Sequence, residues 1–322
     1  MNPLTGLYGA ATALRNALYD RRVLSARRLE QPVVSVGNLS VGGSGKTPFV
    51  IALGELLQAR GIRFDVLSRG YGRKTRGVLV VDPDGSAADF GDEPLLIARR
   101  LGVPVVVGES RYEAGRVGEQ RFQPQLHILD DGFQHRSLAR DFDIVLMTER
   151  DFDDHLLPSG RLREPLSSLR RANAVVLPAG LVMDNPALSQ KPIWRIKRDL
   201  VLPGLPAAPF SPVVFCGIAR PEQFFTQVRV AGITSAAEIE FRDHHAYDGN
   251  DITQLLAMRS KLGAGGFLTT KKDAVNLGAL QEQLKPLVVA ALNLTINQPT
   301  DVVDAILAGT IFARFREEKP RS

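Results

Sequence analysis

Ser40-Val41-Gly42-Gly43-Ser44-Gly45-Lys46-Thr47 lies between an apolar, β-branched run, Val33-Val34-Ser35-Val36, and Phe49-Val50-Ile51-Ala52-Leu53, which reads as the start of a helix. Strand, glycine turn and helix is the context of a phosphate-binding loop. Glycines let successive backbone N–H groups curl around phosphate oxygens, and the helix N-terminus adds the positive end of its dipole. In this reading Lys46 reaches the β- and γ-phosphates of a nucleotide and Thr47 can ligate Mg²⁺. Ser40 stands where the general pattern G-x-x-x-x-G-K-[ST] has glycine.

Working outward, the chain alternates strand-like and helix-like stretches, which predicts an α/β fold with a mostly parallel sheet covered on both faces. Phe64-Asp65-Val66-Leu67-Ser68 is a second strand and runs into Arg69-Gly70-Tyr71-Gly72-Arg73-Lys74, a cationic loop able to fold over phosphates. Gly91-Asp92-Glu93-Pro94 precedes an apolar helical run, and its carboxylates also suit a helix N-terminus. Val103-Pro104-Val105-Val106-Val107-Gly108 is a strand with Arg111 just beyond its carboxyl end, where ligands of open α/β sheets sit. Leu126-His127-Ile128-Leu129 closes on Asp130-Asp131, the Walker B arrangement in which a strand carries an Asp to the metal held by the loop.

With 322 residues the chain predicts about two domains of ~150 residues. Between 183 and 212 the composition shifts to Pro, Asn, Ser and Lys, so the expected division is 1–200 and 201–322, the second part a smaller α/β unit. Ile193-Trp194-Arg195-Ile196 alternates like an exposed strand. The net charge of +5 favours anionic partners. Sparse aromatic interleaving in the basic stretches argues against nucleic acid. The single cysteine, Cys216, excludes an internal disulfide framework and a Cys-rich zinc site and fits a reducing compartment.

No stretch reaches the ~18 apolar residues of a spanning helix, and no cleavable leader is expected. At the N-terminus, Leu4, Leu7, Tyr8, Ala11, Leu14 and Leu18 share one helical face, with Arg15, Arg21, Arg22, Arg27 and Arg28 on or beyond it. That pattern fits an interfacial helix, and equally a helix packed on its own domain. Asp243-His244-His245 brings together two of the five histidines, and a neighbouring Asp can orient an imidazole as a proton acceptor. Two partly exposed loop histidines are the plainer reading.

In order along the chain, Pro3-Leu4 to Leu7-Tyr8-Gly9, residues 32–48, Ser68-Arg69-Gly70-Tyr71-Gly72-Arg73, Gly91-Asp92-Glu93-Pro94, Asp130-Asp131-Gly132-Phe133-Gln134-His135, residues 160–165, Asp243-His244-His245 and Lys272-Asp273-Ala274-Val275 together resemble the tetraacyldisaccharide 4′-kinase family. The Ser40 departure looks like that family's own version of the loop. The resemblance implies a P-loop kinase that transfers the ATP γ-phosphate to the 4′-hydroxyl of an acylated glucosamine disaccharide 1-phosphate in lipid A biosynthesis. It places the enzyme peripherally at the cytoplasmic face of the inner membrane, docked on an anionic surface by its amphipathic N-terminus. A monomer is expected.

Carried over residue by residue, the resemblance makes Asp92 and His244 the catalytic pair, with Lys46. It assigns ATP to Ser40, Val41, Gly42, Gly43, Ser44, Gly45, Lys46, Thr47 and Gln134. Mg²⁺ falls to Thr47 with Asp130 or Asp131, Glu164 supporting, and phosphate charge on nucleotide or acceptor falls to Arg69, Arg73 and Arg111. Two competing readings have different signatures. A membrane-associated P-loop ATPase or GTPase switch would hydrolyse nucleotide regardless of lipid, and a non-enzymatic membrane protein would bind anionic lipid without consuming ATP.

Overall fold

Val- and Ile-rich runs that end in glycine, Asp or Ser build the strands, and the runs between them with a helical apolar face build the covering helices. The computed structural model describes residues 2–43, 45–206 and 210–318. The strands are β1 (Val33–Asn38), β2 (Phe64–Ser68), β3 (Leu79–Val80), β4 (Val105–Val107), β5 (Leu126–Asp130), β6 (Phe142–Leu146), β7 (Ala174–Pro178), β8 (Ile193–Val201), β9 (Val213–Cys216), β10 (Ala237–Glu240), β11 (Phe267–Thr270) and β12 (Leu287–Ile296). The helices are α1 (Pro3–Asp20), α2 (Lys46–Ala59), α3 (Ala87–Phe90), α4 (Asp92–Leu101), α5 (Arg111–Phe122), α6 (Pro221–Val230), α7 (Gly249–Leu262), α8 (Lys271–Leu277) and α9 (Pro299–Glu318).

All twelve strands join one sheet in the order β10-β9-β11-β12-β8-β7-β6-β1-β5-β2-β4-β3. The pairings are parallel except β3 with β4 and β8 with β12. The glycine loop leaves β1, which sits between β5 and β6, with Val36 level with Asp130. The loop and the β5 carboxylates therefore emerge side by side at the carboxyl edge of the sheet, where open α/β folds bind ligands.

The division expected at residue 200 falls within β8, the strand that passes the sheet from the N-terminal half to the C-terminal half. The alternation at 193–196 is that of an internal strand and not an exposed one. β8 is paired on both edges, and Trp194 is buried and stacks on Phe142 with ring centroids 6.0 Å apart. The largest apolar core joins Phe49, Val50, Leu53 and Leu57 of α2 to Val302, Val303 and Ile306 of α9 and to Leu294 and Ile296 of β12. At about 1.5–3 kcal/mol for each buried side chain of this size, that cluster fixes the position of the glycine loop.

Beneath the sheet edge, His127 of β5 is fully buried, its Nδ1 2.6 Å from Asp65 Oδ1 and its Nε2 3.5 Å from Glu119 Oε1. Burial pulls the imidazole pKa down, but hydrogen bonds and charge from Asp65 and Glu119 outweigh it and raise the value from 6.5 to about 9. Burial also raises the Asp65 carboxyl. With a second carboxylate on the far side of the ring, the imidazolium is nonetheless the favoured state. A folded-state pKa above the unfolded one gives stability that is complete below pH 6.5 and is lost as pH rises through about 9. The urea midpoint of the wild type is therefore expected to fall across that window, by roughly 3 kcal/mol of stability, while that of His127→Gln stays level. Parallel curves for the two proteins would refute the charged-histidine assignment.

Candidate active site

A cleft of about 1500 Å³ runs between the carboxyl edge of the N-terminal strands and the C-terminal half. Its floor is the glycine loop. Gly45 is the N-terminal cap of α2 at φ 82°, a left-handed conformation that glycine adopts without strain, and it turns the chain into the helix. Ser40, Val41, Gly42, Gly43, Lys46 and Thr47 line the cleft, and Ser44 lies outside the described residues. Lys46 Nζ is 3.1 Å from Asn38 Oδ1 and 3.5 Å from Asp131 Oδ1.

Arg163 forms a two-pronged pair with Asp131, Nη1 to Oδ2 at 3.0 Å and Nη2 to Oδ1 at 2.9 Å, and also donates to the Asn38 side chain. Burial acts to raise the Asp131 carboxyl, but the charges of Lys46 and Arg163 win and hold it far below the usual range. Asp130 is the opposite case. Burial and the charges of Glu93 and Asp131 push it up to about 7. Ser68 Oγ donates to Asp130 Oδ2 at 3.2 Å, while Oδ1 is buried without a partner. Gln134 also lines the cleft, its amide donating to the Asn38 carbonyl at 2.9 Å.

Across the cleft, Asp92 starts α4 and is only 4% exposed. Gly91 before it has φ 88°, and a Cβ there would fall 2.8 Å from the Tyr71 carbonyl oxygen, so only glycine lets the 70–71 loop close on this helix end. His244 Nδ1 lies 3.1 Å from Asp92 Oδ1 and 2.9 Å from Oδ2, joining positions 152 apart in sequence. Lys272 Nζ is 3.1 Å from His244 Nε2 and 3.5 Å from both Asp92 Oδ2 and Glu93 Oε1. An ammonium can only donate, so Nε2 is the acceptor and Nδ1–H is the proton that faces Asp92. Burial acts to raise the Asp92 carboxyl, yet the hydrogen bond from His244 and the charge of Lys272 bring it below its ordinary 3.8. The Asp92 hydrogen bond in turn raises His244.

His244 is held at φ 59°, an uncommon conformation for a non-glycine residue, and its N–H donates to the Gly217 carbonyl. Gly217 N–H donates to buried Asp273, which also accepts from Tyr247 and Thr270. The two adjacent histidines part company: His245 Nε2 pairs with Asp251 at 2.8 Å, at the start of α7.

The arginines separate as well. Arg69 and Arg111 line the cleft. Burial and the nearby Arg69 charge lower Arg111 to about 10, and its Nε is buried without a partner. Arg73 does not line the cleft. Its side chain pairs with Glu109 and the Gly77 carbonyl, both at 2.7 Å, and so pins its own loop. Glu164 is likewise outside the cleft, fully buried, its Oε2 accepting from Asn16 at 2.8 Å and Arg171 at 2.9 Å. Asn38, Arg163 and Lys272 were not expected as site residues. All three lie inside the motif stretches, but only the fold shows what they touch.

α1 lies against this floor by its polar side. Thr5, Thr12 and Asn16 are buried, Thr5 Oγ1 is 2.6 Å from Ser159 Oγ, and Tyr8 OH donates to the Arg163 carbonyl. Leu4, Leu7 and Leu14 are 59%, 69% and 62% exposed. No helix among the described residues is long and apolar enough to cross a membrane.

A glycine loop, a lysine and a strand-borne Asp pair on a mostly parallel sheet, facing a carboxylate held by a histidine and a lysine, define a P-loop kinase of the small-molecule type. The family model for tetraacyldisaccharide-1-P 4′-kinase matches residues 1–310, and the chain belongs to that family. It is 49% identical to a tetraacyldisaccharide 4′-kinase of Koribacter versatilis over 314 residues, 95% of this chain and 98% of the relative. It is 40% identical to the enzyme of that name from Aquifex aeolicus over 289 residues, 85% and 88% of the two chains. The crystal structure of the "apo" form of LpxK from Aquifex aeolicus in complex with ATP superposes with a TM-score of 0.78 at 33% identity, covering 96% of this chain and 98% of that one.

Proposed function

We propose that the chain transfers the γ-phosphoryl group of ATP to the 4′-hydroxyl of a tetraacylated glucosamine disaccharide 1-phosphate, with Asp92 accepting the hydroxyl proton. The observation that carries this reading is the Asp92–His244–Lys272 cluster, built from both halves of the chain and facing Lys46 and Asp130 in one cleft. A sugar hydroxyl must lose its proton as the phosphoryl group arrives. Asp92 is ionised, and its buried Oδ2 accepts no hydrogen bond of good geometry although His244 Nδ1 and Lys272 Nζ stand 2.9 Å and 3.5 Å away, so this oxygen keeps lone-pair capacity for that proton. His244 orients the carboxylate through Nδ1–H. Lys46 and the loop amides hold the β- and γ-phosphates, and Arg69 and Arg111 supply further positive charge.

The residues fit Mg²⁺. Asp130 Oδ1 is a buried, unpartnered acceptor in the cleft that Thr47 also lines, whereas the Asp131 oxygens are engaged by Arg163 and Lys46. Mg²⁺ needs only one or two carboxylates when phosphates complete its shell. Thr47 and Asp130 would hold it, and the ion would neutralise phosphate charge. Glu164 serves α1 in this reading, and Arg73 its loop. Incubating the protein with labelled ATP, Mg²⁺ and the disaccharide 1-phosphate should yield a labelled lipid, whereas hydrolysis to phosphate regardless of acceptor would overturn the assignment.

The acceptor is held in a membrane by its acyl chains, and α1 turns its leucines outward while its polar side is fastened to the protein. We assign α1 to docking at the cytoplasmic face of the inner membrane. Apolar insertion is insensitive to screening, so salt should release the protein from anionic vesicles only in part. Leu4→Ser/Leu7→Ser/Leu14→Ser is expected to lose most vesicle co-sedimentation while transfer to detergent-dispersed acceptor persists. Undiminished co-sedimentation would remove α1 from membrane binding.

A further inference from the structure

The C-terminal half turns two arginines toward the glycine loop. Arg198 of β8 and Arg220, which precedes α6, both line the cleft. The Arg198 guanidinium packs on Gly45, and its Nε would lie 3.2 Å from a Cβ placed on that glycine. Ala219 Cβ is 3.9 Å from the same position at Gly42 and at Gly43, so the turn carrying Arg220 lies over the loop's outer face.

Arg220 lies among more positive than negative charge. Arg220 Nε and Nη2 are buried without a hydrogen-bond partner, and Arg220 forms no ion pair among the described residues. The charges that act on it most are Arg161, Asp151 and Arg150, and Arg161 is itself paired with Asp154 at 2.8 Å. Burial lowers the pKa of both arginines, and the Arg220 charge lowers Arg198 further. A desolvated guanidinium with unpartnered nitrogens, as in Arg220, is costly unless an anion reaches it. The anion that the adjoining Gly42–Thr47 stretch is shaped for is a phosphate chain, which guanidinium groups grip with paired hydrogen bonds.

We propose that Arg198 and Arg220 form a second phosphate-binding element, which grips the polyphosphate of the bound nucleoside triphosphate from the half of the chain opposite the glycine loop. The inference rests on the nucleotide-binding reading above. It assigns the pair to nucleotide and not to the acceptor's phosphate, because Arg198 packs on Gly45 and Ala219, next to Arg220, lies against Gly42 and Gly43, while the proton-accepting cluster marks the acceptor side at the start of α4.

The test uses the full chain and equilibrium binding of a non-hydrolysable ATP analogue, with adenosine as the phosphate-free comparison. Arg220→Met and Arg198→Met should each weaken the analogue about tenfold or more, should leave adenosine within twofold, and should reduce the salt dependence of analogue binding. Arg220→Lys, which keeps the charge, should recover part of the loss. The acceptor KM should not change. Unchanged analogue affinity, equal losses for analogue and adenosine, or an effect confined to the acceptor KM would each overturn the proposal. If Arg198→Met fails to fold, the half-buried Arg220 still decides the question. A wild type that binds no analogue would refute the nucleotide reading itself, whereas loss in Lys46→Ala without loss in the arginine variants would refute this inference alone.

Discussion

Lys46→Ala is expected to lower phosphoryl transfer by at least ~10³-fold, about 4 kcal/mol of transition-state stabilisation at 1.36 kcal/mol per tenfold. Lys46 follows the glycine loop directly at the start of α2, and its side chain is only 16% exposed, so solvent screens it weakly. The loss should not come from unfolding. The N-terminus of α2 is fixed by Phe49, Val50 and Leu53, which are fully buried, and Asp131 keeps its paired contact with Arg163. Thr47→Ala should be comparably impaired, since it removes the hydroxyl proposed to hold Mg²⁺ and leaves the same core intact. Purified variants should unfold thermally close to the wild type while product formation is lost. Wild-type turnover in either would remove the loop from the mechanism.

How much of this was legible in the chain follows from the range of the interactions involved. The glycine loop and the β5 carboxylates are local. A few adjacent residues specify strand, turn and charged end, and the mostly parallel α/β fold follows from repetition of that unit. Arg73 and Arg111 look alike in sequence, each an arginine a few residues beyond a strand end. They differ because Glu109 lies 2.7 Å from one, while the other projects into the cleft with its Nε unpartnered. Glu164 sits one residue from Arg163, yet Arg163 reaches Asp131 and Glu164 turns back to Asn16 and Arg171. Which side of that loop faces the cleft depends on the packing of α1, which no local pattern encodes.

The same limit applied to α1 itself. The leucine stripe fits a buried face and a membrane face equally, and it is Thr5 and Asn16, whose hydrogen bonds reach distant loops, that turn the polar side inward. Lys272 shows the limit again. Its motif was visible, but its function depends on standing 3.1 Å from His244 Nε2, a contact that exists only once β11 and β12 bring α8 up to α4.

Asp92→Asn and His244→Ala are each expected to lower turnover by roughly 10²-fold or more, the scale of positioned acid–base assistance, and the double variant should be little worse than the poorer single one. Groups that act as a unit are non-additive, because the second substitution removes an interaction already lost. In the proposed mechanism Asp92 takes the proton and His244 acts through Asp92, which it contacts at 2.9–3.1 Å. The pH profile separates this from a merely structural role. The base works only when ionised, and its carboxyl is held below 3.8 by His244 and Lys272 against the upward pull of burial. Removing His244 leaves burial less opposed, so the acid limb of the His244→Ala profile should move to higher pH, and that of Lys272→Met should move the same way. ATP affinity should stay near normal in all of these. Two full, multiplying losses would mean that the residues act independently. An unmoved acid limb would mean that Asp92 is not the group titrating in the rate, and unchanged turnover in Asp92→Asn would place the base elsewhere in the cleft, with Asp130 the next carboxylate to test.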